Sequence, residues 1–282
     1  MLLQRVLSAA VGIPVIVVLI LIGGVPYAFA VAMILALAAL EFYAATDPET
    51  FATSPTHPRL RRASPSLFGQ RMPAFAGCVG VPLLVVGAYE GLDELTGVLA
   101  GLIAGIFLIL ILRQEAHTGL RDWLWVVGGV VYVGFLGAYL VLLRDLDDDG
   151  GWVFVAVFAT FVADTAAYFV GRALGKHQIA PAVSPGKTAE GAIVGLVAGF
   201  VAVFLLVWIT GVDVDELKLV PLALLLPSVA IVGDLGESLI KRGAGVKDTS
   251  DLVPGHGGFL DRLDSILFTT PLVYYYVIWV VL

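Results

Sequence analysis

Residues 238–265 read SLIKRGAGVKDTSDLVPGHGGFLDRLDS, a stretch that is dense in charged residues and glycines. The remainder of the chain is largely apolar. Of the 282 residues, 59% are hydrophobic and only 14% are charged, against about 25% charged in a typical soluble domain. Charge beside hydrocarbon is costly, so a polar stretch flanked by membrane segments predicts a functional site. We call residues 238–265 the polar island.

Apolar runs long enough to cross a bilayer as helices recur along the whole chain. They predict an all-α polytopic membrane protein with about nine transmembrane helices. The expected spans are residues 5–24, 27–46, 74–90, 95–112, 122–143, 151–172, 189–211, 219–240 and 262–282. Glu41 is almost the only ionisable residue in the first five spans. We therefore interpret residues 1–146 as a transmembrane scaffold and residues 147–282 as the catalytic region.

The charged residues are sorted between the two sets of connections. All of the 16 Lys and Arg residues except Arg144 and Lys218 fall near the N-terminus or in the connections that follow the second, fourth, sixth and eighth spans. The connections that follow the third, fifth and seventh spans are acidic. The positive-inside rule then predicts a cytoplasmic N-terminus, an extracytoplasmic C-terminus and a polar island on the cytoplasmic side of the cell membrane. Residues 47–73, rich in Pro, Ser, Thr and Arg, are predicted to form a flexible cytoplasmic loop.

Acidic residues lie at the ends of the last two predicted spans. At the end of the eighth span, Asp234, Glu237, Ser238 and Lys241 have the spacing i, i+3, i+4, i+7 and share one helix face. The ninth span opens with Asp261 and Asp264 in its first turn. Carboxylates converging from two helices suit Mg²⁺, which prefers a few carboxylates together with water and substrate phosphates. A buried Asp–Lys pair that only tightens the helix bundle is the structural alternative.

The polar island also contains the cations and glycines that phosphate chemistry requires. Its basic residues are Lys241, Arg242, Lys247 and Arg262. Carboxylates for a metal and cations for phosphate together indicate phosphoryl or nucleotidyl transfer. Glycines such as Gly257 permit tight turns and close approach to a ligand. His256 hydrogen-bonds phosphate, transfers a proton or only shapes the loop, and these interpretations stay open.

A second polar cluster connects the sixth and seventh spans. Asp164 lies within span six, where it either contributes to the site or pairs with Arg172. Ser184 followed by proline is typical of a helix N-cap, which would place Lys187 and Thr188 at a helix opening suited to anions. The string PGKT is not a phosphate-binding P-loop, because proline occupies position 181, where a glycine is required, and no strand is expected before it.

The island sequence SLIKRGAGVKDTSDLVPGHGGFLDRLD resembles the signature of bacterial-type phosphatidate cytidylyltransferases, also called CDP-diacylglycerol synthases. The segments DTAAYFVGRALGK, SPGKTAEG and GDLGES are similar to further motifs of that family. The resemblance implies the reaction of CTP with phosphatidate to CDP-diacylglycerol and pyrophosphate. It also implies Mg²⁺, suggests a second cation such as K⁺, and suggests a homodimer in membrane lipid with no nucleic-acid partner.

The predicted site follows from the motifs and the resemblance together. Asp234 and Asp261 are predicted metal ligands, and with Lys241 and Asp264 they form the predicted catalytic set. The predicted substrate-binding residues are Asp164, Ser184, Lys187, Thr188, Glu237, Ser238, Arg242, Lys247, Asp248, His256, Gly257 and Arg262.

Two other functions fit parts of the sequence. A CTP-dependent kinase or cytidylyltransferase that acts on another membrane lipid would need the same polar groups. A secondary transporter is disfavoured, because its ion site would lie near the bilayer midplane between inverted repeats. Here the carboxylates fall at helix ends, and no inverted repeat is evident.

Overall fold

A computed structural model of the chain describes residues 2–47, 72–113, 117–250, 252 and 257–282. Side chains are described throughout these ranges except at residues 2–9, 11, 72 and 73. The predicted loop 47–73 therefore lies outside the described residues apart from its two ends, and His256 lies outside them as well.

The described part of the chain is mainly helical. Its helices are α1 (Leu2–Ile22), α2 (Gly24–Thr46), α3 (Met72–Glu90), α4 (Leu92–Arg113), α5 (Gly119–Arg144), α6 (Gly151–Leu174), α7 (Ala189–Thr210), α8 (Glu216–Gly243), α9 (Leu260–Leu263) and α10 (Ile266–Tyr276). A π-helical turn, Val130–Phe135, interrupts α5, and another, Val277–Val281, follows α10.

Seven helical segments in the described residues are long and apolar enough to cross a membrane. They are α2, α4, α5, α6, α7, α8 and the segment Leu260–Val281. The apolar parts of α1 and α3, Gly12–Ile22 and Ala74–Glu90, are shorter. The chain is thus a helical, multi-pass membrane protein, as predicted. The total of nine spans and the sides on which the termini lie stay predictions.

The chain divides into two compact units. Unit 1 comprises Met1–Leu142 and Ile240–Arg262, and unit 2 comprises Leu143–Leu239 and Leu263–Leu282. Most of the polar island, including Asp261 in α9, thus belongs to the same unit as the N-terminal helices. The predicted functional division between residues 146 and 147 stays a prediction.

In unit 1, buried tyrosines connect the helices. The Tyr43 hydroxyl donates to the Val126 carbonyl at 2.7 Å, and the Tyr27 hydroxyl donates to the Leu140 carbonyl at 3.1 Å. Gly129 leaves space for the Tyr43 ring, because a Cβ there would overlap it. A buried tyrosine needs a partner for its hydroxyl, and helix carbonyls supply that partner here.

In unit 2, α6 and α7 pack together through small residues. A Cβ added to Gly191 would lie 2.6 Å from the Ala167 carbonyl oxygen, and one added to Gly195 would lie 3.0 Å from the Ala163 carbonyl oxygen. Small residues spaced by four allow the backbones of membrane helices to approach closely. This contact places the start of α7 beside the end of α6.

A short antiparallel hairpin connects α6 and α7. Its strands are β1 (Gln178–Ala180) and β2 (Ser184–Thr188), with Ala180 paired to Ser184 and Gln178 paired to Thr188. The two strands are too short to give a periodicity signal in the sequence, so a connection without strands was expected. PGKT therefore lies within β2 and follows β1, and proline still occupies position 181 where a P-loop needs glycine.

The predicted N-cap at Ser184 is wrong. Ser184 lies in extended backbone, and α7 begins five residues later at Ala189. Thr188 is the N-cap, and its Oγ1 accepts a hydrogen bond from the Gly191 N–H at 3.2 Å. Strand pairing satisfies backbone groups before the helix begins, and threonine then supplies the capping oxygen that serine was expected to supply.

Candidate active site

Lys241 and Asp261 form a buried ion pair in unit 1. Lys241 lies in the last turns of α8 and Asp261 lies in α9, and the Lys241 Nζ is 2.9 Å from the Asp261 Oδ1. Their side chains are only 13% and 4% exposed. A buried carboxylate of this kind persists only when it is paired and hydrogen-bonded.

The second oxygen of Asp261 accepts hydrogen bonds from two other parts of the island. Its Oδ2 accepts from the Gly258 N–H at 2.8 Å, and from both the N–H and the hydroxyl of Thr249 at 3.1 Å. Gly257 has a φ of +84°, where glycine is favoured, and a Cβ there would lie 2.8 Å from the same oxygen. The glycine turn therefore permits the backbone to approach the carboxylate closely.

Glu41 of α2 is a third charged member of this cluster, and sequence reasoning placed it in the scaffold. Its side chain is fully buried. It accepts hydrogen bonds from the Ser250 hydroxyl at 2.5 Å, the Leu260 N–H at 2.8 Å and the Phe259 N–H at 3.1 Å. A carboxylate within an otherwise apolar membrane segment is the signal that could have identified it.

Lys187 and Asp234 form a second ion pair, in unit 2. Lys187 lies on β2 and Asp234 lies on α8, and the Lys187 Nζ is 2.5 Å from the Asp234 Oδ2. The hydroxyl of Ser238 donates to the Asp234 Oδ1 at 3.5 Å. The two side chains of the ion pair are 20% and 28% exposed, so this pair is more open than the first.

Two other members of the predicted helix stripe, Glu237 and Ser238, also lie in unit 2. Glu237 is fully buried and Ser238 is nearly so. Asp264 accepts a hydrogen bond from the Ser265 N–H at 2.6 Å, a contact within the turn that precedes α10. Gly233 of α8 allows this turn to pack closely, because a Cβ there would lie 2.9 Å from the Asp264 carbonyl oxygen.

The remaining predicted site residues differ in their exposure and in their hydrogen bonds. Lys247 and Arg262 are exposed, whereas Arg242 donates to the Val246 carbonyl at 3.2 Å. Asp248 is half-buried. In unit 2, Asp164 is half-buried, and the exposed Arg172 donates to the Tyr168 hydroxyl at 2.9 Å. Ser184 is held in the hairpin by its pairing with Ala180.

The carboxylate of each ion pair is a hard oxygen donor of the kind that a divalent cation such as Mg²⁺ binds. Among the described residues, no group of three or more His, Cys, Asp and Glu side chains is arranged as a metal cluster. Mg²⁺ does not require one, since it is often bound by one or two carboxylates with water and substrate phosphates. Asp261 and Asp234 each pair with a lysine ammonium, which Mg²⁺ would have to replace at the carboxylate oxygen.

Comparison with known proteins places the chain in a family. The sequence pattern described as the cytidylyltransferase family matches residues 3–280. A phosphatidate cytidylyltransferase of Synechocystis sp. is 30% identical across 98% of this chain and 96% of its own length. One of Brucella suis biovar 1 is 38% identical across 74% of this chain and 76% of its own length.

A third relative, the phosphatidate cytidylyltransferase of Bacillus subtilis, is 38% identical across 51% of this chain and 54% of its own length. The family match extends over nearly the whole chain, and the first relative aligns with it almost from end to end. The chain therefore belongs to the cytidylyltransferase family. The resemblance seen in the polar island is confirmed, and the protein is an enzyme.

Proposed function

We propose that this protein transfers a cytidylyl group from CTP to phosphatidate, giving CDP-diacylglycerol and pyrophosphate. The family match and the similarity to phosphatidate cytidylyltransferases support this reaction. The structural observation that carries the proposal is the pair of lysine–carboxylate contacts, Lys241 with Asp261 and Lys187 with Asp234. Carboxylates and cations held together are what a metal-assisted reaction between phosphates requires.

Asp234 and Asp261 are the proposed metal ligands, with Mg²⁺ as the cation and a second one such as K⁺. When bound, Mg²⁺ would neutralise charge on the phosphate groups. Each aspartate supplies carboxylate oxygens, and its lysine neighbour supplies a cation that can move from carboxylate to phosphate. Ser238, which donates to Asp234, would orient that carboxylate.

The proposed reaction requires the two substrates to be positioned correctly and requires no covalent enzyme intermediate. An anionic oxygen of phosphatidate attacks the α-phosphorus of CTP, forming a new P–O bond. The bond between the α-phosphorus and the oxygen that bridges to the β-phosphorus breaks, and pyrophosphate leaves with that electron pair. No base is needed, because the attacking oxygen carries no proton. Lys187, Lys241 and the exposed Lys247 and Arg262 would hold phosphate groups and stabilise the charge that develops.

The remaining predicted residues keep narrower proposed roles. Thr188 and Ser184 would contact phosphate from the hairpin, and Arg242 would do so from the end of α8. Five more residues stay proposed members of the substrate site, namely Asp164, Glu237, Asp248, His256 and Gly257, and Asp264 stays a proposed catalytic residue.

We also propose an orientation in which the polar island faces the cytoplasm, where CTP is available. The distribution of basic residues supports it, with the cell membrane as the location and a homodimer as the assembly. A reporter fused after Leu282 should then be extracytoplasmic, and a cytoplasmic reporter would contradict the orientation.

The reaction can be tested with the purified protein in detergent, Mg²⁺, CTP and a panel of lipid phosphates. We expect pyrophosphate release and CDP-diacylglycerol when phosphatidate is the acceptor, and no turnover when EDTA removes the metal. Turnover with another lipid acceptor, but none with phosphatidate, would favour the related CTP-dependent enzyme. Full turnover in EDTA would contradict the metal assignment.

A further inference from the structure

Glu41 is a fully buried carboxylate that the proposed reaction leaves without a role. It lies on α2, near the end of an apolar helix, and its partners come from two separate stretches of the polar island. Ser250 and Thr249 belong to the first stretch, and Phe259 and Leu260 belong to the second. One side chain therefore binds the island on both sides of residues 251–258.

Burial of the Glu41 carboxylate is energetically costly unless both of its oxygens accept hydrogen bonds. A charged group in a membrane segment is expensive, and hydrogen bonds must offset the loss of its hydration. The two oxygens of Glu41 share four donors, at distances from 2.5 Å for the Ser250 hydroxyl to 3.4 Å for the Thr249 hydroxyl. Glutamine in its place would direct an amide N–H₂ group at donors, leaving buried N–H or O–H groups without an acceptor.

The hydrogen bonds of Glu41 lead directly to Asp261. The Thr249 hydroxyl lies 3.4 Å from the Glu41 Oε2 and 3.1 Å from the Asp261 Oδ2, and its single proton can be donated to one of them at a time. Gly258 lies between the same two carboxylates. Its N–H donates to Asp261, and a Cβ at this position would overlap the Glu41 Oε2.

We propose that Glu41 is a positioning residue of the active site. By holding Thr249, Ser250 and the backbone at Phe259 and Leu260, it places the donors that orient Asp261 beside Lys241. It does not contact substrate, and it acts through Asp261. This inference rests on the proposed function, in which Asp261 is a metal ligand. Partners that orient a ligating carboxylate typically contribute about 10-fold to 100-fold to metal affinity or activity.

The test compares Glu41→Gln with Glu90→Gln, a matched control at the exposed end of α3. Three properties are measured for each full-length protein in detergent: the thermal unfolding midpoint, the Mg²⁺ concentration that gives half-maximal turnover, and Mn²⁺ binding without nucleotide by electron paramagnetic resonance. For Glu41→Gln we expect the Mg²⁺ requirement to rise and Mn²⁺ binding to weaken, each by about 10-fold or more. Glu90→Gln should match the wild type in all three.

A second variant keeps the test decisive if Glu41→Gln does not fold. Thr249→Val removes the hydroxyl between the two carboxylates but leaves the bonds from Ser250, Phe259 and Leu260 to Glu41 in place. It should weaken Mn²⁺ binding in the same direction. Where both variants fold, the double variant should lose less than the sum of the single losses in free energy, because both changes act on one network.

The outcomes separate this inference from the proposed function. If Glu41→Gln and Thr249→Val lower only the unfolding midpoint, and the Mg²⁺ requirement and Mn²⁺ binding equal those of the wild type, Glu41 is merely structural and the inference is overturned. If Mn²⁺ binding weakens as expected but the wild type makes no CDP-diacylglycerol from phosphatidate, the positioning role stands and the proposed reaction fails.

Discussion

The two lysine–aspartate pairs have the same chemistry in different surroundings. Asp261 is 4% exposed and accepts from backbone and hydroxyl groups as well as from Lys241. Asp234 is 28% exposed, and its lysine comes from a short hairpin strand. The first pair is built into the interior of unit 1, whereas the second lies at a more open position of unit 2.

These surroundings indicate that the Asp261 carboxylate is pre-organised and that the Asp234 carboxylate can adapt. A carboxylate with several fixed donors keeps one orientation, which favours a metal or phosphate that must be placed accurately. A more exposed carboxylate, paired to a lysine on a hairpin, can exchange partners at lower cost, because water replaces what it loses. Substitutions at the two aspartates should therefore affect activity alike but stability differently.

The largest effect is expected for Asp261→Asn. It removes a proposed metal ligand, and it removes the carboxylate charge that pairs with the buried Lys241 ammonium. We expect kcat/KM for CTP to fall by about 1000-fold and the free energy of unfolding to fall by about 3 kcal/mol. Pyrophosphate release and thermal unfolding in detergent measure the two effects. A variant with full activity would remove Asp261 from the site.

Asp234→Asn should cost similar activity but little stability. We expect a loss of about 100-fold to 1000-fold in kcat/KM, with an unfolding free energy within about 1 kcal/mol of the wild type, because a partly exposed pair contributes little. The same two measurements apply. An unfolding midpoint as low as that of Asp261→Asn would show that the second pair is as structural as the first, and the contrast between the pairs would fail.

The smallest effect is expected for Thr188→Ala, a change next to Lys187 of the more exposed Lys187–Asp234 pair. Loss of the N-cap of α7 should lower the free energy of unfolding by about 1 kcal/mol. Thr188→Ser is the control, because serine also caps, and it should restore stability. If Thr188 also binds phosphate, alanine raises the KM for CTP and serine returns it. A KM equal to that of the wild type in the alanine variant would leave Thr188 as a cap alone.

Much of the site could be predicted because its signals are local. Helix spacing aligned Asp234 with Glu237 and Ser238, and the first turn of the last span marked Asp261. The ion pair between Lys187 and Asp234, and that between Lys241 and Asp261, join residues that the sequence marked separately. Their partners could not be assigned in advance, because contacts between distant residues depend on how helices and strands pack.

The membrane class, the apolar segments and the polar island could all be read from the amino-acid sequence, because hydrophobicity and helical period act over neighbouring residues. The sequence also carried the family resemblance. The folded structure was needed to show that Ser184 lies in a hairpin, that Thr188 caps α7 and that Glu41 binds both parts of the island. Glu41 and Leu260 are brought together by folding alone, and hydrogen bonding between buried groups so far apart leaves no local pattern in the chain.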